Sequence, residues 1–136
     1  MNSLAISIML VDDNPDDNFF HEREIKKNNP KNAVIKMTSG TMALDHLKSR
    51  REAGPHPDLI LLDINMPGMN GWEFLAEYKR LENEFQIRSI IIILTTSENP
   101  DDVAKAKGMA SVSDYRSKPL TGEIMAEIIA KYFKNP

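Results

Sequence analysis

The chain has 136 residues, a formal net charge of −3 and no cysteine. This length predicts one domain with a substantial core, and the lack of cysteine excludes a disulfide framework and a thiolate metal site. The acidic balance provides no general cationic surface for nucleic acid or anionic lipid. The longest aliphatic run, Ile90–Leu94, is far too short to cross a bilayer. We therefore expect one cytoplasmic domain over residues 1–136.

Short apolar runs and longer amphipathic stretches alternate five times along the chain. The apolar runs predict strands over Ile6–Val11, Ala33–Met37, Leu59–Leu62, Ile90–Leu94 and Val112–Arg116. The amphipathic stretches predict helices over Pro15–Lys27, Thr41–Arg51, Gly71–Glu82, Pro100–Lys107 and Thr121–Phe133. Strands that are apolar on both faces indicate a parallel sheet with helices on each side. Right-handed crossovers then favour a doubly wound, five-stranded α/β sheet in the order 2-1-3-4-5.

Apolar residues recur within the amphipathic stretches. The first stretch has Phe19, Phe20 and Ile25 at roughly helical spacing, and the second has Met42, Leu44 and Leu47. The third is predicted to place Phe74, Leu75 and Tyr78 inward. The three histidines, His21, His46 and His56, are scattered along the chain and have no metal-ligand spacing. We expect all three to lie at the surface.

Polar residues stand directly after four of the five predicted strands. In chain order they are Asp12 and Asp13, then Asp63, then Thr95 and Thr96, then Lys118 and Pro119. All strands of a parallel sheet end at the same edge, where ligands bind near the switch point between the first and third strands. The predicted fold therefore gathers three carboxylates, a hydroxyl and an ammonium group at one place.

Three carboxylates in one pocket repel one another, since two unit charges about 4 Å apart cost about 4 kcal/mol near a protein surface. A hard divalent cation such as Mg²⁺ offsets this repulsion, and Lys118 adds a further positive charge. A metal and a lysine together can neutralise a transferring phosphoryl group, and a carboxylate can accept that group as an aspartyl phosphate. Asp63 is the best candidate for the acceptor because it lies between the acidic pair and Lys118.

Each of these residues also has a structural interpretation. Asp13 and Asn14 could cap the first helix, and we interpret Asp16 and Asp17 as helix-N-terminal charges that the helix dipole favours. A lone lysine such as Lys118 is most often a solvated surface residue. The joint occurrence of polar residues after four different strands nevertheless favours a functional site.

With these residues in place, the chain resembles the receiver domain of bacterial two-component response regulators. The matching segments are Leu10–Asn14, Leu59–Gly71 with its Met-Pro-Gly turn, Ile93–Thr96 and Tyr115–Leu120. The resemblance as a whole extends over nearly the whole chain. The resemblance implies a flavodoxin-like (βα)5 fold, and it implies a phosphoacceptor of a two-component or phosphorelay system that switches a protein-binding face.

The resemblance also implies the phosphoacceptor and the metal ligands. Asp63 would accept the phosphoryl group. Mg²⁺ would be held by Asp12, Asp13 and Asp63 and by the backbone carbonyl of Asn65, with Asp13 bound directly and Asp12 through water.

A second group of matching residues is implied to carry the switch. Thr95 would be the hydroxyl that bonds the phosphoryl group, and it is preferred to Thr96 because Ile90–Leu94 ends directly before it. Tyr115 would be the aromatic residue that turns inward on activation. Lys118 would pair with phosphoryl oxygens, and the bond between Lys118 and Pro119 would be cis.

The implied partners are a sensor histidine kinase or a histidine phosphotransfer protein upstream and a protein target downstream, without nucleic acid or membrane. The target is expected at the face around Tyr115 and the last helix. We expect a phosphorylation-dependent switch that catalyses its own phosphorylation and dephosphorylation, not an enzyme that turns over an external substrate. The chain ends soon after the last predicted helix, which favours a stand-alone receiver over a piece of a longer regulator.

Three rival functions remain open. A haloacid-dehalogenase-type phosphatase also forms an aspartyl phosphate, but that family places its two aspartates one residue apart, whereas Asp12 and Asp13 are adjacent. A flavodoxin-like electron carrier would cradle a phosphate with hydroxyls and glycine amides, which the acidic segment from Asp12 to Asp17 would repel. A degenerate receiver would bind partners without phosphorylation, although every expected site residue is present.

Overall fold

The computed structural model describes residues 4–49, 56–85 and 88–133. Five parallel strands form one sheet in the order β2-β1-β3-β4-β5. The strands are β1 (Ser7–Val11), β2 (Ala33–Met37), β3 (Leu59–Leu62), β4 (Ile90–Thr95) and β5 (Asp114–Ser117). The helices are α1 (Pro15–Asn28), α2 (Gly40–Ser49), α3 (Gly71–Phe85), α4 (Pro100–Lys107) and α5 (Gly122–Ile128), which continues as a π-helical turn over Ile129–Phe133. The predicted fold class and strand order are confirmed.

The sheet buries both of its faces, each under a different set of helices. One face carries Met9, Ile60 and Ile91 and packs against α2, α3 and α4. The opposite face carries Ile8 and Leu61 and packs against α1 and α5. Because successive side chains of a strand point to opposite faces, a strand buried on both sides must be apolar at every position. This explains the unbroken apolar run of β3.

The bounds of β2, β3 and α4 agree with the prediction to the residue. The fifth strand was predicted two residues too early: it begins at Asp114, and Val112 lies in the turn after α4, where its N–H donates to the Met109 carbonyl (3.1 Å). Apolar content indicated Val112, but pairing with β4 decides the register, with Ile92 opposite Asp114. The predicted end of the second helix at Arg51 lies outside the described residues.

The first two helices leave some of their apolar residues exposed, although Ile25, Leu44 and Leu47 are buried. Phe19 is 61% exposed, Phe20 is also exposed, and the buried residues of α1 are Asn18, His21 and Ile25. The prediction that His21 lies at the surface is therefore wrong. Met42 of α2 is likewise exposed, whereas the inward-facing residues predicted for α3 are all fully buried. The apolar pattern fails in α1 because its first turns face polar groups at the sheet edge.

The turn between β3 and α3 is packed closely against the sheet. Gly68 has a φ of 72°, a conformation that glycine adopts without strain. Gly71 begins α3, and its N–H donates to the Ile64 carbonyl (3.0 Å). A Cβ at Gly71 would lie 2.6 Å from the Ile64 Cα, so a side chain has no room there. Within the described residues, no helix has the length and apolar character needed to cross a membrane.

Candidate functional site

The carboxyl ends of β1 and β3 place three carboxylates side by side. Val11 pairs with Met37 on one side and Leu62 on the other, and the ladder continues one residue further, since the Asp63 N–H donates to the Val11 carbonyl (3.0 Å). Carboxylate oxygens of Asp12, Asp13 and Asp63 lie within 4.8 Å of one another. Asp12 and Asp63 are 4% and 7% exposed, and Asp13 is exposed.

Lys118 follows β5 and reaches across the end of β4 into this acidic cluster. Its backbone N–H donates to the Thr95 carbonyl (2.9 Å). Its Nζ lies 2.6 Å from Asp12 Oδ2, 2.8 Å from Asp17 Oδ2 and 3.1 Å from Asp63 Oδ2. The peptide bond between Lys118 and Pro119 is cis, as predicted. The ammonium group, which has three N–H donors, therefore meets three carboxylates.

Burial and mutual charge set the ionisation of this cluster. Burial raises the pKa of Asp12, and the charge of Asp63 adds to that rise, while Lys118 and the Asn14 N–H act against it. Burial by itself would lower the pKa of Lys118, but its contacts with Asp12, Asp17 and Asp63 outweigh burial and raise that pKa above its usual value. Lys118 is therefore charged at neutral pH and partly offsets the repulsion among the carboxylates.

The donor set fits a hard divalent cation. Carboxylates are the ligands that Mg²⁺ and similar ions prefer, and such ions use one or two of them together with waters and phosphate oxygens. Three carboxylates whose oxygens lie within 4.8 Å of one another could hold one such ion. Asn65 lies beside them, since its N–H donates to Asp63 Oδ1 (3.2 Å). The cluster can therefore accept a metal, and the buried Asp63 lies next to both the cluster and Lys118.

The two threonines after the fourth strand lie in different surroundings. Thr95 is the last residue of β4 and is fully buried, whereas Thr96 is exposed. The Ser97 N–H donates to Thr95 Oγ1 (3.4 Å), and the Ser97 carbonyl accepts a hydrogen bond from the Tyr115 hydroxyl (2.8 Å). Ser97 therefore joins the buried threonine to the aromatic residue of β5.

Four residues around the site were missed or misinterpreted from the sequence. Asp17, interpreted as a helix-N-terminal charge, contacts Lys118. Asn18, which is buried, donates from its Nδ2 to the Asp12 carbonyl (3.0 Å), and His21 is buried one turn later. Helical spacing counted back from the buried Ile25 passes through His21 and Asn18, so this periodicity was the available signal. Ser97 carried no such signal, because its role depends on backbone hydrogen bonds.

Comparisons with known proteins agree with this geometry. The family model described as response regulator receiver domain matches residues 8–130. The response regulator Rcp1 of Synechocystis is 37% identical over 98 residues, which are 71% of this chain and 65% of Rcp1, so the match spans just under two thirds of that relative.

Solved structures show the same fold. A two-component response regulator from Cytophaga hutchinsonii has a TM-score of 0.88 at 34% identity, over 97% of this chain and 100% of that one. The Mn²⁺-bound form of Rcp1 has a TM-score of 0.75 at 28% identity, over 96% of each chain.

Proposed function

Because the chain belongs to the response regulator receiver family, in which phosphorylation by a histidine kinase is the common role, we propose that Asp63 is its phosphoacceptor. The observation that carries this proposal is the position of Asp63. It is buried at the end of the central strand β3, inside a cluster of three carboxylates and 3.1 Å from the Lys118 ammonium. A receiver domain is a signalling switch, and the reaction at Asp63 sets its state.

The proposed step transfers a phosphoryl group from a phosphohistidine to Asp63. A carboxylate oxygen of Asp63 forms the new P–O bond, the P–N bond breaks, and its electron pair stays on the imidazole nitrogen. Lys118 stabilises the charge on the transferring oxygens from a fixed position. Hydrolysis of the acyl phosphate by water then resets the switch, which is the self-dephosphorylation that we include in the proposal.

We propose Mg²⁺ as the resident cation, held by Asp12, Asp13 and Asp63 and by the carbonyl of Asn65. When bound, such an ion supplies positive charge to the carboxylates and to the transferring phosphoryl oxygens. The all-oxygen donor set and the Mn²⁺-bound form of Rcp1 support a divalent cation. The mutual repulsion of the three carboxylates also supports a bound cation, because its positive charge would offset that repulsion.

The path from the phosphoryl group to the protein surface is proposed to run through Ser97. The Thr95 hydroxyl oxygen accepts a hydrogen bond from the Ser97 N–H. If this hydroxyl turns to the new phosphoryl group, the Ser97 N–H must follow it or lose its acceptor. The Ser97 carbonyl moves with that N–H, and it is the acceptor of the Tyr115 hydroxyl. A local change of charge is thereby converted into a change at β5, which supports Thr95 over Thr96 as the switch residue.

The proposed partners are a histidine kinase or a histidine phosphotransfer protein upstream and a protein target downstream. The face around Tyr115 and α5 is the proposed target site, because the Ser97 path ends there. We also propose that residues 1–136 form one receiver domain and that this domain acts in the cytoplasm. Its proposed target is a protein, not nucleic acid or membrane. These proposals follow from the family role and the acidic balance of the chain.

The test is phosphorylation of the purified chain by acetyl phosphate with Mg²⁺, followed by intact mass. One phosphoryl group should be added per chain, and Asp63→Asn should block the addition because the acceptor oxygen is lost. Asp45→Asn, an exposed carboxylate on α2, is the matched control and should be labelled like the wild type. Full labelling of the Asp63→Asn variant, or labelling that a metal chelator leaves unchanged, would contradict the proposal. A wild-type chain without label would favour a degenerate receiver.

A further inference from the structure

Lys118 has a partner on α1 that lies outside the residues assigned to phosphoryl transfer. Asp17 Oδ2 is 2.8 Å from the Lys118 Nζ, closer than Asp63 Oδ2 at 3.1 Å. The side chain of Asp17 is 37% exposed and that of Lys118 is 9% exposed. The contact therefore lies at the mouth of the pocket, between the buried carboxylates and solvent.

The first turn of α1 holds Asp17 in a defined position. Asn14 caps the helix, and its Oδ1 accepts hydrogen bonds from the N–H groups of Asp16 (2.9 Å) and Asp17 (3.2 Å). Asn18 ties the same turn to the site, since its Nδ2 donates to the Asp12 carbonyl (3.0 Å). Asp17 thus lies in a helix turn that Asn14 caps and that Asn18 ties to the backbone of the acidic cluster.

The three carboxylates that contact Lys118 differ in their relation to the metal cluster. Asp12 and Asp63 belong to the group of carboxylates that could hold a cation, and Asp17 does not belong to it among the described residues. A cation in this cluster neutralises Asp12 and Asp63 and so weakens their hold on the ammonium group. Asp17 then remains as the carboxylate partner whose charge is not shared with the metal.

We propose that Asp17 is a positioning residue that holds the Lys118 ammonium beside Asp63 for the incoming phosphoryl group. This inference rests on the proposed function of Asp63. With Asp17 in place, one N–H of the ammonium stays on α1 and the others are free to meet phosphoryl oxygens. Without it, the long lysine side chain loses its anchor at the pocket mouth and samples other rotamers.

The positioning role and a simple charge effect predict opposite signs. Removing one negative charge near the site should favour an anionic phosphodonor and leave its reaction unchanged or faster. Loss of an anchor for Lys118 should slow the reaction, because stabilisation of the transferring group depends on a fixed donor. Asp16 provides the control, since it carries the same charge one residue earlier and is exposed.

The experiment measures the rate of phosphorylation by acetyl phosphate at saturating Mg²⁺ for Asp17→Asn, Asp17→Glu and Asp16→Asn. We expect Asp17→Asn to be about tenfold slower, less than the 10²–10³ that loss of a direct stabilising donor costs. Asp16→Asn should react at the wild-type rate or faster. Asp17→Glu keeps the charge and should recover part of the rate.

Two further measurements separate positioning from a loss of structure. In the Lys118→Ala background, Asp17→Asn should have no added effect on the rate, because the residue through which it acts is gone. In the chain with Mg²⁺ bound, the ¹H–¹⁵N NMR signal of the Lys118 ammonium should be visible in the wild type and in Asp16→Asn. It should be lost in Asp17→Asn, where exchange of the ammonium protons with water is faster.

The outcomes distinguish this inference from the function on which it rests. A wild-type chain without label at Asp63 refutes the proposed function. If the wild type is labelled but Asp17→Asn is phosphorylated as fast as Asp16→Asn or faster, the positioning role of Asp17 is overturned. The proposed function of Asp63 is not affected by that result. An equal slowing by Asp17→Asn with and without Lys118 also overturns it, since the effect would then not pass through the lysine.

Discussion

At the scale of single residues, the proposed function separates groups that would meet a phosphoryl group from groups that would carry the change away from it. Asp63 and Lys118 are in contact with each other, and the buried Thr95 accepts a hydrogen bond from the Lys118 N–H at its backbone carbonyl. Ser97 lies between Thr95 and Tyr115, and both of its backbone polar groups are engaged. This order of contacts makes the switch testable one residue at a time.

Thr95→Ala should leave phosphorylation of Asp63 in place and abolish the change at Tyr115. The variant removes the hydroxyl that exchanges partners, and a ligand without differential contacts cannot shift a two-state equilibrium. The measurement is the amide chemical-shift change of Ser97 and Tyr115 on addition of acetyl phosphate and Mg²⁺. Thr95→Ser should restore the change.

Thr96→Ala is the matched control, because Thr96 is exposed and adjacent in sequence. It should behave like the wild type in both phosphorylation and chemical shift. If Thr96→Ala lost the chemical-shift change of Ser97 and Tyr115 and Thr95→Ala kept it, the switch residue would be Thr96 and not Thr95.

His21 should make the stability of the chain depend on pH. Burial lowers the pKa of His21 and the charge of Lys118 lowers it further, while the carboxylates of Asp17, Asp63 and Glu24 act in the opposite direction. Below about pH 6.5 the unfolded chain binds a proton at this position that the folded chain does not bind. Protonation therefore favours the unfolded state, and the stability due to neutral His21 is lost as the pH falls.

The measurement is the free energy of unfolding by denaturant between about pH 7 and pH 5. His21→Gln cannot titrate and should lose less stability over this range than the wild type. His46→Gln, on α2, replaces a second histidine in the same way and is the control for the substitution itself. If the slopes of His21→Gln and the wild type coincide, His21 titrates in the same way in both states.

At the scale of elements, α3 begins directly against the backbone of Asp63 and Ile64. A Cβ at Gly71 would lie 2.6 Å from the Ile64 Cα and 2.9 Å from the Asp63 carbonyl oxygen. Both neighbours are backbone atoms, so the helix must move away from the strand that carries Asp63. This position couples the packing of α3 to the geometry of Asp63, the proposed phosphoacceptor.

Gly71→Ala should lower the free energy of unfolding by about 1–3 kcal/mol, the usual cost of overpacking, and should slow labelling of Asp63. Gly122→Ala is the control, because its nearest neighbour is the flexible end of Glu24 at 3.9 Å. That variant should be as stable as the wild type or more stable, since alanine favours a helix over glycine. Equal stability of the two variants would show that the backbone at Gly71 has room to adjust.

At the scale of the whole molecule, a cation held by the acidic cluster would link metal binding to folding. The cluster gathers like charges from β1 and β3 and has Lys118 as a counter-charge. A ligand that binds the folded chain alone stabilises it by mass action, by about 2.7 kcal/mol at a concentration 100 times its Kd. Mg²⁺ should therefore raise the melting temperature.

Asp13→Asn should raise the melting temperature of the metal-free chain and reduce the further rise that Mg²⁺ causes. Without the ion the variant should melt higher, because one repelling charge is gone. The rise caused by Mg²⁺ should be smaller, because one ligand is weakened. Asp45→Asn should keep the full rise, and a wild-type chain whose melting temperature ignores Mg²⁺ would refute a resident cation.

Much of the fold follows from local patterns in the sequence. Apolar runs bounded by polar residues identified all five strands, and three elements have the predicted bounds. The parallel sheet then brings Asp12, Asp13 and Asp63 together without further information, because parallel strands end at one edge. Membership of the receiver family rests on these same residues and is confirmed.

Tertiary packing decided what periodicity could not. Asp17 and Lys118 are 101 residues apart in sequence, and no local pattern predicts which of several exposed carboxylates meets a given lysine. His21 is buried and Phe19 is exposed because burial in α1 depends on what the helix packs against, and here that is a polar site. The sequence specifies which groups stand at the strand ends, and long-range packing specifies which of them touch.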